Sequence, residues 1–409
     1  MLIDDNGLFF SKLTFAMQNN EKQPEKGFTK GIEMGLLARR NLFHDKVRLT
    51  VTLTGIVFAL VLIVVQFGLF LGFTTTTSNN IDHSGVDAWV VSHGVRYFDT
   101  GKAFSERKYF QVLGTPGVAH AEKYVQAFAV WKRADGRTEN IQIVGFNPDT
   151  GVGGPWNIVE GKIADLKQDD AVMIDEIYKQ KLGVEKIGDR VEITGHRARV
   201  VGFTQGIRSF TTSPFVYTSF KNALNYPSGR MNQDQTTYIV VKAEPGVTPK
   251  ELKQRLELRV RDVDVYTTSE FSRSTRFYWM FTTGAGLAVL IAAAMGLIVG
   301  VVVVAQTIYA TTMDHLKEYG TLKAMGASNW YLYRVIIEQA VISAAVGYVL
   351  AMIVSQFVVR VSSKGGAAIL LPLSFGVAMF FLAVAMCIVA AFVSINKLTK
   401  LDPAMVFKG

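Results

Sequence analysis

The chain has 409 residues, 49% of them hydrophobic and 19% charged, with a formal net charge of +9. It is too apolar for an ordinary soluble enzyme, yet its central polar stretch is too long to be loops alone. Basic residues are scattered and sit beside span ends, Arg39, Arg40, Lys46 and Arg48 before the first apolar run and Lys397 and Lys400 after the last. That placement fits membrane topology and argues against nucleic-acid binding.

Taken in order, residues 1–48 form a polar leader. The apolar run 49–73 is long enough to cross a hydrocarbon core. A signal peptide is excluded by the long polar leader before it and by an apolar core longer than the usual ~7–15 residues. The polar insert covers 74–276, and a second apolar run from Phe277 stays uncharged until Asp314. At about 1.5 Å per residue it exceeds the bilayer, so span two, 277–312, is expected to project outward as helix through Ser269–Trp279. A connector follows at 313–334, then span three (335–359), span four (369–395) and a tail, 396–409. Four spans place both termini on one side, and Lys/Arg weighting of leader, connector and tail makes that side cytoplasmic. Arg360 and Lys364 in the short outer loop weigh the other way.

The insert reads as mixed α/β. Strand patterns begin at Val86, Tyr124, Asn140, Ala171, Arg190, Arg197 and Thr236; helical patterns cover Phe104–Leu113, Glu176–Leu182 and Pro249–Val260. Asp135-Gly136 and Gly188-Asp189 mark turns. The insert is one core or two subdomains joined near Gly151–Pro155, a GVGGP stretch that continues no regular element. The fold class is therefore a membrane α-helical protein, one span plus three, with a large extracytoplasmic α/β domain between the first two.

Signals for catalysis are absent. No GxxxxGK[ST] phosphate cradle occurs, and His44, His83, His93, His120, His196 and His315 make no metal-binding spacing. Asp82-His83 lacks a nucleophile elbow to serve. Cys387, the sole cysteine, falls within span four and excludes an intrachain disulfide. No catalytic or metal residue is assigned. In the spans, Gly68/Gly72 and Gly296/Gly300 form small-xxx-small pairs suited either to packing within the chain or to a dimer seam. Gln66, Gln306 and Gln356 are expected to face protein or a cavity, and Glu338 to sit at the cytoplasmic boundary beside Arg334.

Within the connector, Leu316, Tyr319, Leu322 and Met325 recur three apart, with Lys317, Glu318 and Lys323 on the other faces. Such an amphipathic helix between two spans lies on the bilayer or is gripped by a soluble partner. Glu318, Gly320, Lys323, Gly326 and Ala327 here resemble the coupling element of the MacB, FtsX and LolC/LolE group of ABC permeases. Ala171–Phe203 resembles that group's external domain, Ala38–Ile56 its amphipathic helix feeding the first span, and Asp402-Pro403-Ala404 its terminal DPA motif. In layout the chain is most similar to the stand-alone DevC-like permeases.

The resemblance implies an exporter permease of a bacterial inner membrane, with both termini cytoplasmic. It implies a separate ABC ATPase subunit in two copies, gripping Leu316, Glu318, Tyr319, Gly320, Leu322, Lys323, Met325, Gly326 and Ala327. ATP and Mg would bind that partner, and this chain would bind no cofactor. A second permease copy as homodimer, a periplasmic adaptor and an outer-membrane channel are the further implied partners. The alternative is an FtsX-like signalling subunit that activates a cell-wall hydrolase.

Overall fold

The computed structural model describes residues 46–210, 213–229, 231–314, 320–321, 323, 325, 328–364 and 369–398. The elements in chain order are α1 (Lys46–Thr76), α2 (Asn79–Asp82), β1 (Ala88–Ser92), β2 (Phe104–Ser105), α3 (Arg107–Leu113), β3 (Val118–Lys132), β4 (Thr138–Phe146), β5 (Ile158–Glu160) and β6 (Ala171–Asp175). They continue as α4 (Lys179–Leu182), β7 (Arg190–Ile193), β8 (His196–Thr204), β9 (Phe215–Ser219), α5 (Phe220–Ala223), β10 (Gln235–Thr236), β11 (Tyr238–Ala243), α6 (Pro249–Arg259), β12 (Val263–Thr267) and α7 (Thr268–Phe277). A π-helical turn, Tyr278–Thr282, leads to α8 (Ala285–Asp314), α9 (Asn329–Lys364) and α10 (Leu373–Leu398).

Among the described residues, four helices are long and apolar enough to span a membrane, at Leu49–Thr76, Ala285–Asp314, Asn329–Ser362 and Leu373–Val393. The chain is thus a membrane protein with four spanning helices and an α/β domain between the first and second. It divides into two compact units, one containing the described residues up to Val64, Met295–Ser355 and those from Pro372, the other Val65–Ala294 and Gln356–Leu371.

In the helical unit, glycines bring side chains onto backbone. A Cβ on Gly300 would meet Ile63 Cδ1 at 2.7 Å, one on Gly347 would meet Ile56 Cγ2 at 2.5 Å, and one on Gly55 would meet Thr307 Oγ1 at 2.6 Å. Gly300 therefore serves packing within the chain, as small residues do where helices approach closely in lipid. Gly296 is buried as well. Thr52 and Thr311 share a hydrogen bond of 3.0 Å between α1 and α8. Arg334 Nε donates to Glu338 Oε1 at 3.1 Å one turn along α9.

Three span expectations need correction. Ile369–Leu371 is not the start of span four, because Leu370 N–H donates to Gly68 O at 3.0 Å and α10 begins only after Pro372. Gly68 permits this, since a Cβ there would lie 2.7 Å from Ile369 Cγ2. Gly72, one turn on, is buried. Gln356 is exposed on α9, one turn from Arg360, two turns from the C-terminal end of the helix. Span two is not one uninterrupted helix from Ser269, because a π-helical turn at Tyr278–Thr282 and a left-handed Gly284 interrupt it.

The α/β unit is built on one sheet, β12-β1-β11-β3-β4-β9-β6-β8-β5, with β7 pairing both β3 and β8. Strands β3, β4, β9, β6, β8 and β7 therefore close on themselves as a small barrel. Pairings β4–β9 and β6–β8 are parallel, and the other pairs are antiparallel. Strand β3 belongs to both halves: Val118–Tyr124 pairs with β11 and Val125–Lys132 with β4. It joins the two halves, and the Gly151–Pro155 stretch does not. That stretch folds onto the core instead, with Gly153 against the Tyr124 ring and Gly154 against Phe146.

Both faces of the sheet are covered, so β1 is buried at every position. Ala88 and Val90 pack with Val112 of α3 and Leu252 and Leu256 of α6. Helix α6 starts at a capping box, Thr248 with Glu251, and has proline in its first turn. On the other face Trp89 lies with ring centroids 5.9 Å from Phe98, 5.5 Å from Tyr124, 5.7 Å from Tyr238 and 5.5 Å from Phe271. Trp131, Ile143, Ile174, Val200, Phe203 and Val216 belong to the barrel core.

Gly145 of β4 lies beneath α5, where an added Cβ would stand 2.2 Å from Ala223 Cβ and 3.2 Å from Val125 Cβ. Gly145→Ala should therefore destabilise the domain by about 1–3 kcal/mol, the usual cost of forcing an extra methyl into a packed core. Denaturant unfolding of the purified chain, followed by tryptophan fluorescence, measures it; an unchanged midpoint would show that α5 moves aside freely.

Candidate transmission site

The chain leaves helix α1 for the α/β domain and returns to α8, and both passages are tied to the same core. On the outgoing side, Thr76 and Thr77 turn their hydroxyls back onto Gly72 O and Phe73 O, satisfying helix-end carbonyls. Ser78 Oγ donates to Asp82 Oδ2 at 2.7 Å, closing the short turn of α2. Ile81 enters the Trp89 core, and Tyr217 OH donates to Asn80 Oδ1 from β9. His83 stacks on Trp156 at 4.3 Å, so Asp82-His83 is a structural corner of the domain.

On the returning side, Thr267 and Glu270 form a capping box that starts α7, and Lys253 of α6 reaches Glu270 at 2.9 Å. Phe271, Ser272 and Thr275 face inward and are buried. Thr275 Oγ1 accepts from Phe98 N–H at 3.2 Å, and Ser274 Oγ donates to Arg96 O at 2.6 Å. Arg276 Nη2 then bonds Asp82 Oδ2 at 3.3 Å, joining the two passages directly. The pair is partly exposed and therefore weak in free energy, but it fixes which turn of α7 faces α2.

The π turn follows. Tyr278 stacks on Tyr97 with centroids 3.6 Å apart, and Trp279 Nε1 donates to Asp99 Oδ2 at 2.8 Å. Asp99 is 9% exposed, and burial pushes its carboxyl above the ordinary range against hydrogen bonds from Trp279, Gln142 and its own backbone. Phe210 stands edge-on to Phe73 of α1 at 3.8 Å. The chain then breaks at Thr283-Gly284, where Gly284 adopts φ +74° with nothing within 4 Å of an added Cβ. This is why the expected single helix from Ser269 through the span fails: a left-handed glycine ends the regular winding, as it does at helix C-termini. The π turn inserts one extra residue per turn, a local departure often found at functional sites.

Of the connector residues, Leu316, Glu318, Tyr319, Leu322, Gly326 and Ala327 lie outside the described residues. Gly320 and Lys323 are helical. Met325 donates its N–H to Thr321 O at 3.0 Å and is 71% exposed. Where α1 and α8 meet, Val47, Val51, Thr52, Gln306, Thr307, Ala310, Thr311 and Asp314 line a groove of about 510 Å³. Gln306 faces this groove. Sequence reasoning missed Asp82, Tyr97, Asp99 and Arg276 as a set, because they are far apart in the chain and have no local pattern.

The MacB-like periplasmic core domain family matches residues 49–258, and the FtsX-like permease C-terminal family matches 269–403. The chain belongs to the MacB/FtsX family of ABC transporter permeases. An uncharacterised ABC transporter permease of Mycobacterium tuberculosis is 24% identical over 387 residues, covering 91% of this chain and 99% of that protein. One of Mycobacterium bovis is 24% identical over 377 residues, with the same coverage of 91% and 99%. Among solved structures, the periplasmic region of MacB from Actinobacillus actinomycetemcomitans is similar at TM-score 0.36 and 13% identity, covering 47% of this chain and 92% of its own. The extracellular domain of YknZ from Gram-positive bacteria is similar at TM-score 0.34 and 14% identity, covering 44% and 98%. Membership in an ABC permease family implies an ATPase partner.

The raised Asp99 carboxyl gives this MacB/FtsX-family permease a pH signature. A carboxyl whose folded value lies above its unfolded one of about 3.9 contributes stability below that value and loses it as pH rises through the folded value. Asp99→Asn keeps an acceptor for Trp279 Nε1 and removes the buried charge. The variant should match the parent near pH 4 and exceed its melting temperature by up to a few degrees at neutral pH. Thermal unfolding of both proteins across that range checks it; a variant less stable at neutral pH would mean the charge is needed.

Proposed function

We propose that this permease is the membrane subunit of an ATP-driven exporter in a bacterial inner membrane, with both termini and the connector in the cytoplasm and the α/β domain outside. Two copies of a separate ATPase subunit bind ATP and Mg and grip the connector, while this chain holds no cofactor. A second copy of the chain completes a homodimer, and a periplasmic adaptor and an outer-membrane channel continue the route, as in DevC- or MacB-like efflux or lipid and lipoprotein export. The observation that carries the reading is the double attachment of the α/β domain. Arg276–Asp82 and Trp279–Asp99 bind the returning passage to the outgoing one and to the core, so displacement of the π turn displaces the domain.

The test uses the chain reconstituted with its ATPase subunit. Alone, the purified chain should turn over ATP only at background, because it lacks a phosphate cradle. Together, ATP should change the distance between spin labels at Lys250→Cys in the two copies. Trp279→Ala should abolish that change while ATP turnover stays within twofold of the parent. Persistence of the change in Trp279→Ala would remove this junction from the force path. Nucleotide-dependent cell-wall hydrolase activity without export would assign the FtsX-like alternative.

The connector makes a second prediction. Leu322→Asp places a carboxylate on the face proposed to enter the ATPase, where it must be desolvated or expel the helix. Co-purification of the ATPase subunit should fall tenfold or more. Asn329→Asp, at the first turn of α9, adds the same charge where a helix N-terminus favours it and should change little. Equal recovery of the ATPase with both variants would free the connector of this role.

A further inference from the structure

One face of the α/β domain is arranged against its own stability. The register of β7 and β8 sets Arg190 directly across from Arg199, and Glu192 across from Arg197. Strand β3 adds Lys132 beside Glu192. Ile193, Ala198 and Val200 are buried, so the alternating charged residues share the outward face. Glu192 is taken by Lys132 at 3.1 Å, and Arg199 donates to the Gln168 side-chain carbonyl. Among the described residues, no carboxylate pairs with Arg190 or Arg197. Like charges directly opposite in a sheet are destabilising, so a hairpin shaped by stability alone would alternate their sign.

These arginines line a surface cavity of about 740 Å³ together with Arg133. Of the rim acids, Asp169 is paired with Lys221 at 3.0 Å, and Asp170 makes no ion pair among the described residues.

We propose that this face docks an acidic protein partner, with Arg190 and Arg199 closing on one carboxylate and Arg197 on a neighbouring one. Two guanidinium forks matched to planar carboxylates give the pairing both strength and geometry, and they explain why repulsion is kept in the free chain. The inference deepens the exporter reading by naming the chemistry of an external partner. Its test uses isolated protein and does not depend on membrane orientation or on the ATPase.

A fluorescein-labelled deca-glutamate peptide is titrated with the full chain in neutral detergent and followed by anisotropy. Binding should weaken tenfold or more in Arg190→Glu/Arg199→Glu and stay within twofold in Lys102→Glu/Lys250→Glu, which carries the same charge change on exposed sites elsewhere. Inorganic phosphate and phosphatidylglycerol vesicles should not displace the peptide. The single variant Arg199→Glu should raise the melting temperature, since it turns repulsion into attraction. Absent peptide binding, equal loss in both double variants, displacement by phosphate or by lipid, or a lower melting temperature in Arg199→Glu would each overturn the proposal.

Discussion

Strand β3 is the constraint on which the α/β domain depends. Its first half is paired in the open sheet under α3 and α6, and its second half is a stave of the barrel. A strand of 15 residues extends roughly 46 Å at ~3.3 Å per residue, its first half laddered to β11 and its second to β4. Bending it between the halves would open the Trp89 core, which takes residues from β1, β3, β11 and α7. In the proposed exporter, a push on α7 would reach the barrel through this shared core.

The junction is built differently. A continuous helical shaft from the span into the domain would transmit force by stiffness alone, but the chain breaks at Gly284 and winds as a π turn before α7. In the proposed exporter, force would instead pass through side chains: Tyr278 on Tyr97, Trp279 on Asp99 and Arg276 on Asp82. Burying the Asp99 carboxyl costs desolvation, which its hydrogen bonds only partly offset. Such a cost is tolerated where geometry matters more than stability, because a directional bond at the end of an indole fixes the turn's rotation in a way that apolar contact would not.

Much of this was legible in the sequence. The four apolar runs, the seven strand patterns and the capped helix at Pro249 each carry a strong local signal, from span length, period-two alternation or a proline at the first helical turn. Strands β9 and β12 were missed because FVYTS is short and lacks period-two alternation, and VDVYT flows straight into a helix cap at Thr267. The GVGGP stretch suggested a joint because glycine marks irregular backbone, yet here irregularity serves close packing on Tyr124 and Phe146. Asp99 and Trp279, 180 positions apart, meet only through the fold. The arginine pair of β7 and β8 needed the register, since a one-residue slip would place Arg190 opposite a buried alanine instead.

The helical unit is held together by contacts of another kind. Ile63, Ile56 and Thr307 rest on glycine backbone, and Thr52 meets Thr311 hydroxyl to hydroxyl. A cavity of about 30 Å³ lined by Thr52, Thr311, Thr312, Gln339 and Ser343, among others, has room for about one water molecule. Contacts of this type are short in range and individually modest in lipid, where no hydrophobic drive separates protein from solvent tails. They differ from the interlocked aromatic contacts around Trp89, where four rings lie within 6 Å of one indole. The contrast follows from composition: small-residue and hydroxyl contacts belong to the glycine- and threonine-dotted spans, and buried aromatic rings to the α/β domain.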